Sequence, residues 1–155
     1  IEVARLSGVP LLIAGIVQDR AYFHEQVEPH LGPAIRYLGP LDVAGKNQLF
    51  SRAAALLHLN TIPERVGLVL AEANAAGVPV IAMDLGSCRE VIEHERTGFL
   101  VHDVRDAVRH LPRPPEIDRA ACRRRVQCRF SIPTRVQSYE RVYQAIFDLE
   151  KARPA

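Results

Sequence analysis

Short apolar runs alternate with longer amphipathic stretches along this chain. Runs of strand length fall at 9–14, 35–38, 56–59, 78–82 and 99–101. The first two end at Gly15 and Gly39-Pro40, and Asn60, Thr61 and Pro63 break the third. Residues 1–8 read as the tail of a helix carrying Val3, Ala4 and Leu6, with Gly8 as its stop. Residues 20–31 place Tyr22, Phe23 and Val27 on one side and close at Gly32-Pro33. Residues 46–55 repeat Leu49, Phe50 and Ala53 at helical spacing. Residues 67–76, rich in Ala and Leu, precede Gly77 at a helix-stop position. A short helix is expected at 88–93 and longer ones at 103–111, 118–130 and 132–150. The last carries Val136, Tyr139, Val142, Tyr143, Ile146 and Phe147 as an apolar stripe. Runs without polar alternation suit strands buried on both faces. Alternation of such strands with helices predicts an α/β fold, a parallel sheet with helices on both faces and helices at the C-terminal end.

Composition narrows the class without choosing a function. At 155 residues the chain suits one domain, and 48% hydrophobic with 25% charged residues is ordinary for a globular protein. Twenty basic against 18 acidic residues leave +2, which argues neither for nor against a polyanionic partner. The arginines at 119, 123, 124, 125 and 129 read as a solvated helix face, and no nucleic-acid partner is expected. No apolar run approaches the roughly 18 residues of a membrane span. Three cysteines without Cys-x-x-Cys spacing argue against a disulfide framework and fit a cytosolic setting. The six histidines lack the spacing of a helical zinc pair, so no metal is expected, and His58 reads as a core or edge histidine.

The chemistry concentrates in 56–82, a strand, loop, helix, turn and strand. Glu72 is the only ionisable side chain between Val66 and Ala82, and no cation stands one turn away. A carboxylate among Leu68, Val69, Leu70 and alanines needs hydrogen-bond donors, which a bound polyol would supply. Glu64 sits just before the helix, at the sheet edge where parallel folds bind ligands. The first-turn N–H groups of Gly67, Leu68 and Val69 would be open to an anion. The same spacing also accommodates a solvated Glu72 and an ordinary loop Glu64. Ser87 with Glu90 has the form of a capping box; alternatively the N–H groups there hold a phosphate or sugar hydroxyl. Gly15 and Gly39 end successive strands, as turn glycines or as points of close ligand approach. Gly45-Lys46 is followed by Asn47 and preceded by no Gly at 40, so there is no P-loop, and Lys46 reads as a solvated helix-start residue. No Gly-x-Gly-x-x-Gly follows a strand, which gives nicotinamide binding little support.

The stretch from Pro63 to Ala82, with Glu64 and Glu72 eight positions apart, resembles the signature of retaining nucleotide-sugar glycosyltransferases of the group 1 type, which have the two-domain GT-B fold. Gly86-Ser87-Cys88-Arg89-Glu90-Val91-Ile92 and Thr97-Gly98-Phe99-Leu100-Val101 resemble two further family segments. Pro10-Leu11-Leu12-Ile13-Ala14-Gly15 and Ile35-Arg36-Tyr37-Leu38-Gly39 resemble two family strands. Arg65, Val66 and Asn74 depart from the common form.

The resemblance implies the Rossmann-like, donor-binding C-terminal half of a GT-B enzyme. Its acceptor-binding N-terminal domain and the first strand-loop of this domain would precede Ile1. It implies transfer of a sugar from a UDP-, GDP- or ADP-linked donor, with retention of anomeric configuration and no obligatory metal or other cofactor. Glu72 would hold the ribose hydroxyls, and Gly67, Leu68 and Val69 would face the phosphates. Glu64 would orient the sugar, while Gly15, Gly39 and Ser87 would border the donor. In the family an Arg and a Lys ahead of the first matched helix clamp the phosphates; without them the chain alone is expected to bind nucleotide weakly and to be inactive. A cytoplasmic protein is expected, with room for peripheral membrane attachment of the full-length form. A sugar-nucleotide epimerase of GT-B fold and a non-catalytic nucleotide-binding module are the alternatives.

Overall fold

Along β4 (Val80–Met83) successive side chains enter two different cores. Val80 and Ala82 pack with Phe50, Leu70, Ala73 and Val91. Ile81 faces the other way, against Val3, Phe99, Val101, Ala107 and Ile117. That alternation follows from the two-residue period of a strand. It places helices α3 (Val43–Arg52), α4 (Leu68–Ala75) and α5 (Cys88–Val91) on one face. Helices α1 (Glu2–Ser7) and α6 (Val104–His110) lie on the other.

The computed structural model describes residues 1–151, Glu150 by its backbone alone. Strands β3 (Leu56–His58), β4 and β5 (Gly98–Val101) pair in that order, all parallel, with Leu56 opposite Val80 and Val80 opposite Gly98. Strands β1 (Leu11–Ile13) and β2 (Ile35–Tyr37) form a separate parallel pair, Leu11 opposite Ile35. The fold is thus α/β and Rossmann-like, as expected. The hydrogen-bonded strands, however, form two separate parallel sets, β1-β2 and β3-β4-β5. Among the described residues β1 and β3 each have a partner on one side only. Leu12 is accordingly 45% exposed rather than buried.

Several helices differ from the sequence reading for identifiable reasons. The 20–31 stretch is not one α-helix. It begins as α2 (Arg20–Tyr22), widens to a π-helix over Phe23–Val27 and ends as a 3-10 turn over Glu28–His30. Pro29 supplies no N–H to the ladder, which disrupts a regular α-helix there. Helix α3 starts three residues earlier than expected, because Asp42 Oδ1 accepts from Gly45 N at 2.7 Å and caps it. The expected capping box at α5 does not form. Ser87 has helical dihedrals, and its hydroxyl oxygen makes no cap bond.

Helix α7 (Arg119–Phe130) qualifies a larger expectation. Four of its five arginines, at 119, 123, 124 and 129, are exposed as expected, but Arg119, Arg123 and the half-buried Arg125 also reach other helices. Arg119 Nη2 donates to Ala53 O beyond α3, at 3.1 Å. Arg123 Nη2 donates to Ala76 O at the end of α4, at 3.3 Å. Arg125 Nη2 and Nε donate to Glu90 O and Val91 O of α5, at 2.7 and 3.4 Å. One helix therefore supplies cations to the unsatisfied carbonyl ends of three others. Asn74, buried in α4, donates to Val78 O at 3.0 Å and to Thr97 O at 3.1 Å, fastening α4 to the approach of β5. Burial raises the Cys122 thiol to about 11 and pushes Cys88 up as well, so neither is a ready thiolate. Helix α8 (Ile132–Lys151) leaves its stripe exposed, with Tyr139, Tyr143 and Phe147 each more than half accessible.

Candidate functional site

The loop between β3 and α4 lies at the carboxyl ends of parallel strands, and its backbone is tied to the next strand end. Glu64 forms a parallel bridge with Gly86, and Ser87 N donates to Glu64 O at 2.8 Å. Gly86 has φ 59, and a side chain there would collide with the Glu64 backbone. Only glycine meets both demands.

The Glu64 carboxylate is held on two sides. Oε1 accepts from Arg65 N at 2.9 Å and Val66 N at 3.3 Å. Oε2 lies 3.3 Å from His58 Nε2 and 3.5 Å from Asn60 Nδ2. The Val66 and Gly67 N–H groups, followed by Arg65 and the nearby His58, keep this carboxyl below its ordinary range. Arg65 N and Val66 N are the loop N–H groups that bond Glu64 directly. Among the described residues no hydrogen-bond acceptor is recorded for the Leu68 and Val69 N–H groups. Gly67 itself caps α4 in the left-handed region, with φ 63.

Glu72 is not stranded among apolar groups. Its carboxylate Oε1 lies 2.7 Å from Lys46 Nζ, and its side chain is 44% exposed. The missing cation comes from α3, 26 residues away, where a search along one helix could not find it. Lys46 is correspondingly not a simple solvated residue. Both line a cleft of about 320 Å³ between α3 and α4, together with Val43, Asn47, Phe50, Ala75 and Ala76. The two glutamates therefore address separate depressions. Glu64 borders a tight notch with His58, Asn60, Ile62, Met83, Leu85 and Cys88.

Gly15 and Gly39 are brought together, with Gly15 N donating to Gly39 O at 3.0 Å. Tyr37 adds a bond from its hydroxyl to Gly15 O at 2.7 Å. Ser87 Oγ is buried and has no partner, a donor without an acceptor next to the Glu64 strap. The sequence reading missed His58, Asn60 and Lys46. The strand-end position of His58 was visible, but nothing local showed that the chain folds Glu64 back onto it. Asp84, at the next strand end, is paired with Arg89, whose guanidinium holds the carboxyl below its ordinary range. Among the described residues no group of three or more His, Cys, Asp or Glu is placed to hold a metal ion. No described helix is long and apolar enough to cross a membrane.

This α/β fold is that of one part of GT-B glycosyltransferases. The chain aligns with the solved structure of AviGT4, a glycosyltransferase involved in avilamycin A biosynthesis, at TM-score 0.76 and 22% identity, covering 94% of this chain and 46% of that one. It aligns with Anabaena HepE in complex with UDP and glucose at TM-score 0.71 and 22% identity, covering 93% and 44%. Residues 2–113 match the family described as glycosyl transferases group 1, and the chain belongs to that family. A phosphatidyl-myo-inositol mannosyltransferase of Mycobacterium leprae is 43% identical over 98 residues, 61% of this chain and 25% of the relative. A D-inositol 3-phosphate glycosyltransferase of Nocardioides is 37% identical over 89 residues, 56% of this chain and 19% of the relative. The chain thus spans about a quarter or less of these curated relatives.

Proposed function

We propose that this chain is the donor-binding half of a glycosyltransferase that moves a sugar from a nucleotide-sugar to an acceptor with retention of anomeric configuration. The observation that carries this reading is a fixed, ionised Glu64 beside the unoccupied Leu68 and Val69 N–H groups at the start of α4. Those N–H groups meet the donor's phosphates and stabilise the nucleoside diphosphate as it leaves. Glu64 accepts hydroxyls of the transferred sugar. Its two oxygens already lie against loop donors, which suits orientation better than attack on the anomeric carbon. Glu72, at the rim of the α3–α4 cleft, takes the ribose hydroxyls beside Lys46. Gly15 and Gly39 border the nucleotide, and the unpartnered Ser87 hydroxyl is available to a phosphate or sugar oxygen. No metal has a role in this scheme.

The relatives' names support a sugar-transfer role, and the UDP held by HepE supports a nucleotide-linked donor. The base remains to be chosen among uridine, guanosine and adenosine. The separation of β1-β2 from β3-β4-β5 supports a further parallel strand that joins the two sets. That strand, and an acceptor domain, would belong to a longer protein.

Calorimetric titration of this chain with UDP-glucose, GDP-mannose and ADP-glucose tests the donor site. One of the three is expected to bind, and Glu72→Ala to weaken it about tenfold, as loss of a charge-assisted hydrogen bond would. Equal affinity of both proteins removes the ribose role. Anomeric analysis of the product made by the longer protein tests retention.

A further inference from the structure

We propose that His58 and Asn60 are positioning residues for Glu64. Their side-chain nitrogens serve one carboxylate oxygen while the loop's own N–H groups serve the other, so the carboxylate meets a sugar in a single orientation.

The argument starts from hydrogen-bond bookkeeping. His58 ends β3 and its side chain is only 11% exposed. Asn60 Nδ2 lies 3.1 Å from His58 Nε2 and 3.5 Å from Glu64 Oε2. An amide nitrogen carries two hydrogens, so with a neutral imidazole protonated on Nδ1 it serves both acceptors at once. A doubly protonated imidazole instead donates from Nε2 directly to Glu64 Oε2, across 3.3 Å, and the amide turns to present its oxygen. Oε2 has a donor in either state. Rotation of the carboxylate would break bonds at both oxygens, because Oε1 is held by Arg65 N and Val66 N. The loop cannot drift as a whole, since the Glu64 backbone is fastened to Gly86 and Ser87. The other ionisable group lining this notch is the Cys88 thiol; at the next strand end Asp84 is already engaged by Arg89.

The consequence for the sugar rests on the proposed donor function; the hold on Glu64 does not. Two measurements on the 155-residue chain separate them. The first follows the Glu64 carboxyl by carbon-13 NMR through its acid titration in wild type, His58→Ala, His58→Gln and Asn60→Ala. His58→Ala is expected to raise the Glu64 midpoint measurably, because a nearby cation and donor are lost. An unchanged midpoint in both His58 variants overturns the proposal. The second compares affinity for UDP with UDP-glucose, and for GDP with GDP-mannose. His58→Ala is expected to weaken the sugar nucleotide roughly fivefold while leaving the bare nucleotide alone, and His58→Gln to restore it to within about twofold. A histidine that merely fills the core would change both ligands alike, without rescue by glutamine, and that result also overturns the proposal. If no nucleotide binds the wild type, the donor reading fails while the titration still decides the hold on Glu64. Thermal unfolding checks each variant, and His58→Gln carries the test should the alanine variant fail to fold.

Discussion

Lys46 Nζ lies 2.7 Å from Glu72 Oε1, joining α3 to α4 across the mouth of the cleft between them. Both side chains are more than a third exposed, so the pair stabilises the fold little. Its value lies in the cleft, where it fixes one oxygen of the carboxylate. Lys46→Met is therefore expected to change stability by less than about 1 kcal/mol in urea unfolding. Under the proposed donor function, nucleotide affinity in the same variant should change more than stability does. A large loss of stability would mean that the pair is structural.

Arg125 contributes more. Its side chain is 14% exposed, and it donates to Glu93 at 2.7 Å as well as to the carbonyls of Glu90 and Val91. Arg125→Ala leaves those acceptors without their cation and should cost about 2–3 kcal/mol in chemical denaturation. Arg124, whose bond runs to the exposed Asp118 of its own helix, is the control. Its alanine variant should move stability by less than about 1 kcal/mol.

Gly86→Ala tests the strap under the site. The new methyl would enter the Glu64 backbone, and the residue would have to hold φ 59. The strain should cost at least about 1–3 kcal/mol and displace the loop. Backbone amide shifts of 64–67 should move in NMR spectra, whereas Gly32→Ala, where the added methyl meets open space and φ is not positive, should leave them in place.

Acid should loosen the end of β5 and α6. The Arg109 guanidinium, followed by the His102 N–H and the charges of His110 and Arg109, holds Asp106 below its ordinary 3.8. A carboxyl depressed in the folded state stabilises it above the unfolded value, and that contribution is lost as pH falls through the folded value. Asp106→Asn is expected to lower stability at pH 7 and to flatten the fall in unfolding free energy below pH 3.8, measured by urea titration over pH 2–6.

Much of this was legible along the chain. The alternation of short apolar runs with helical stretches gave five parallel strands, because burial on both faces leaves an unbroken apolar run as its mark. The helix start at Leu68 and the Glu64–Glu72 spacing were local features, and the loop placed Glu64 at the strand ends as expected. Side-chain partners were another matter. Glu72 looked unpaired because its cation stands on a different helix, and the bonds of Arg119, Arg123 and Arg125 were hidden because the carbonyls they reach belong to other helices. The capping box at Ser87 failed because the segment is anchored to Glu64 through its backbone.

By itself, then, the order of apolar and polar residues determined the α/β class and the strand directions, and the particular residues of 63–82 and its flanking segments carried the family resemblance, since each depends on neighbours close in the chain. Only the tertiary structure decided which charges meet, what holds each oxygen of Glu64, and where the sheet is interrupted. Those outcomes depend on side chains tens of residues apart arriving within about 3 Å of each other, a distance over which hydrogen bonds act and about which local pattern is silent.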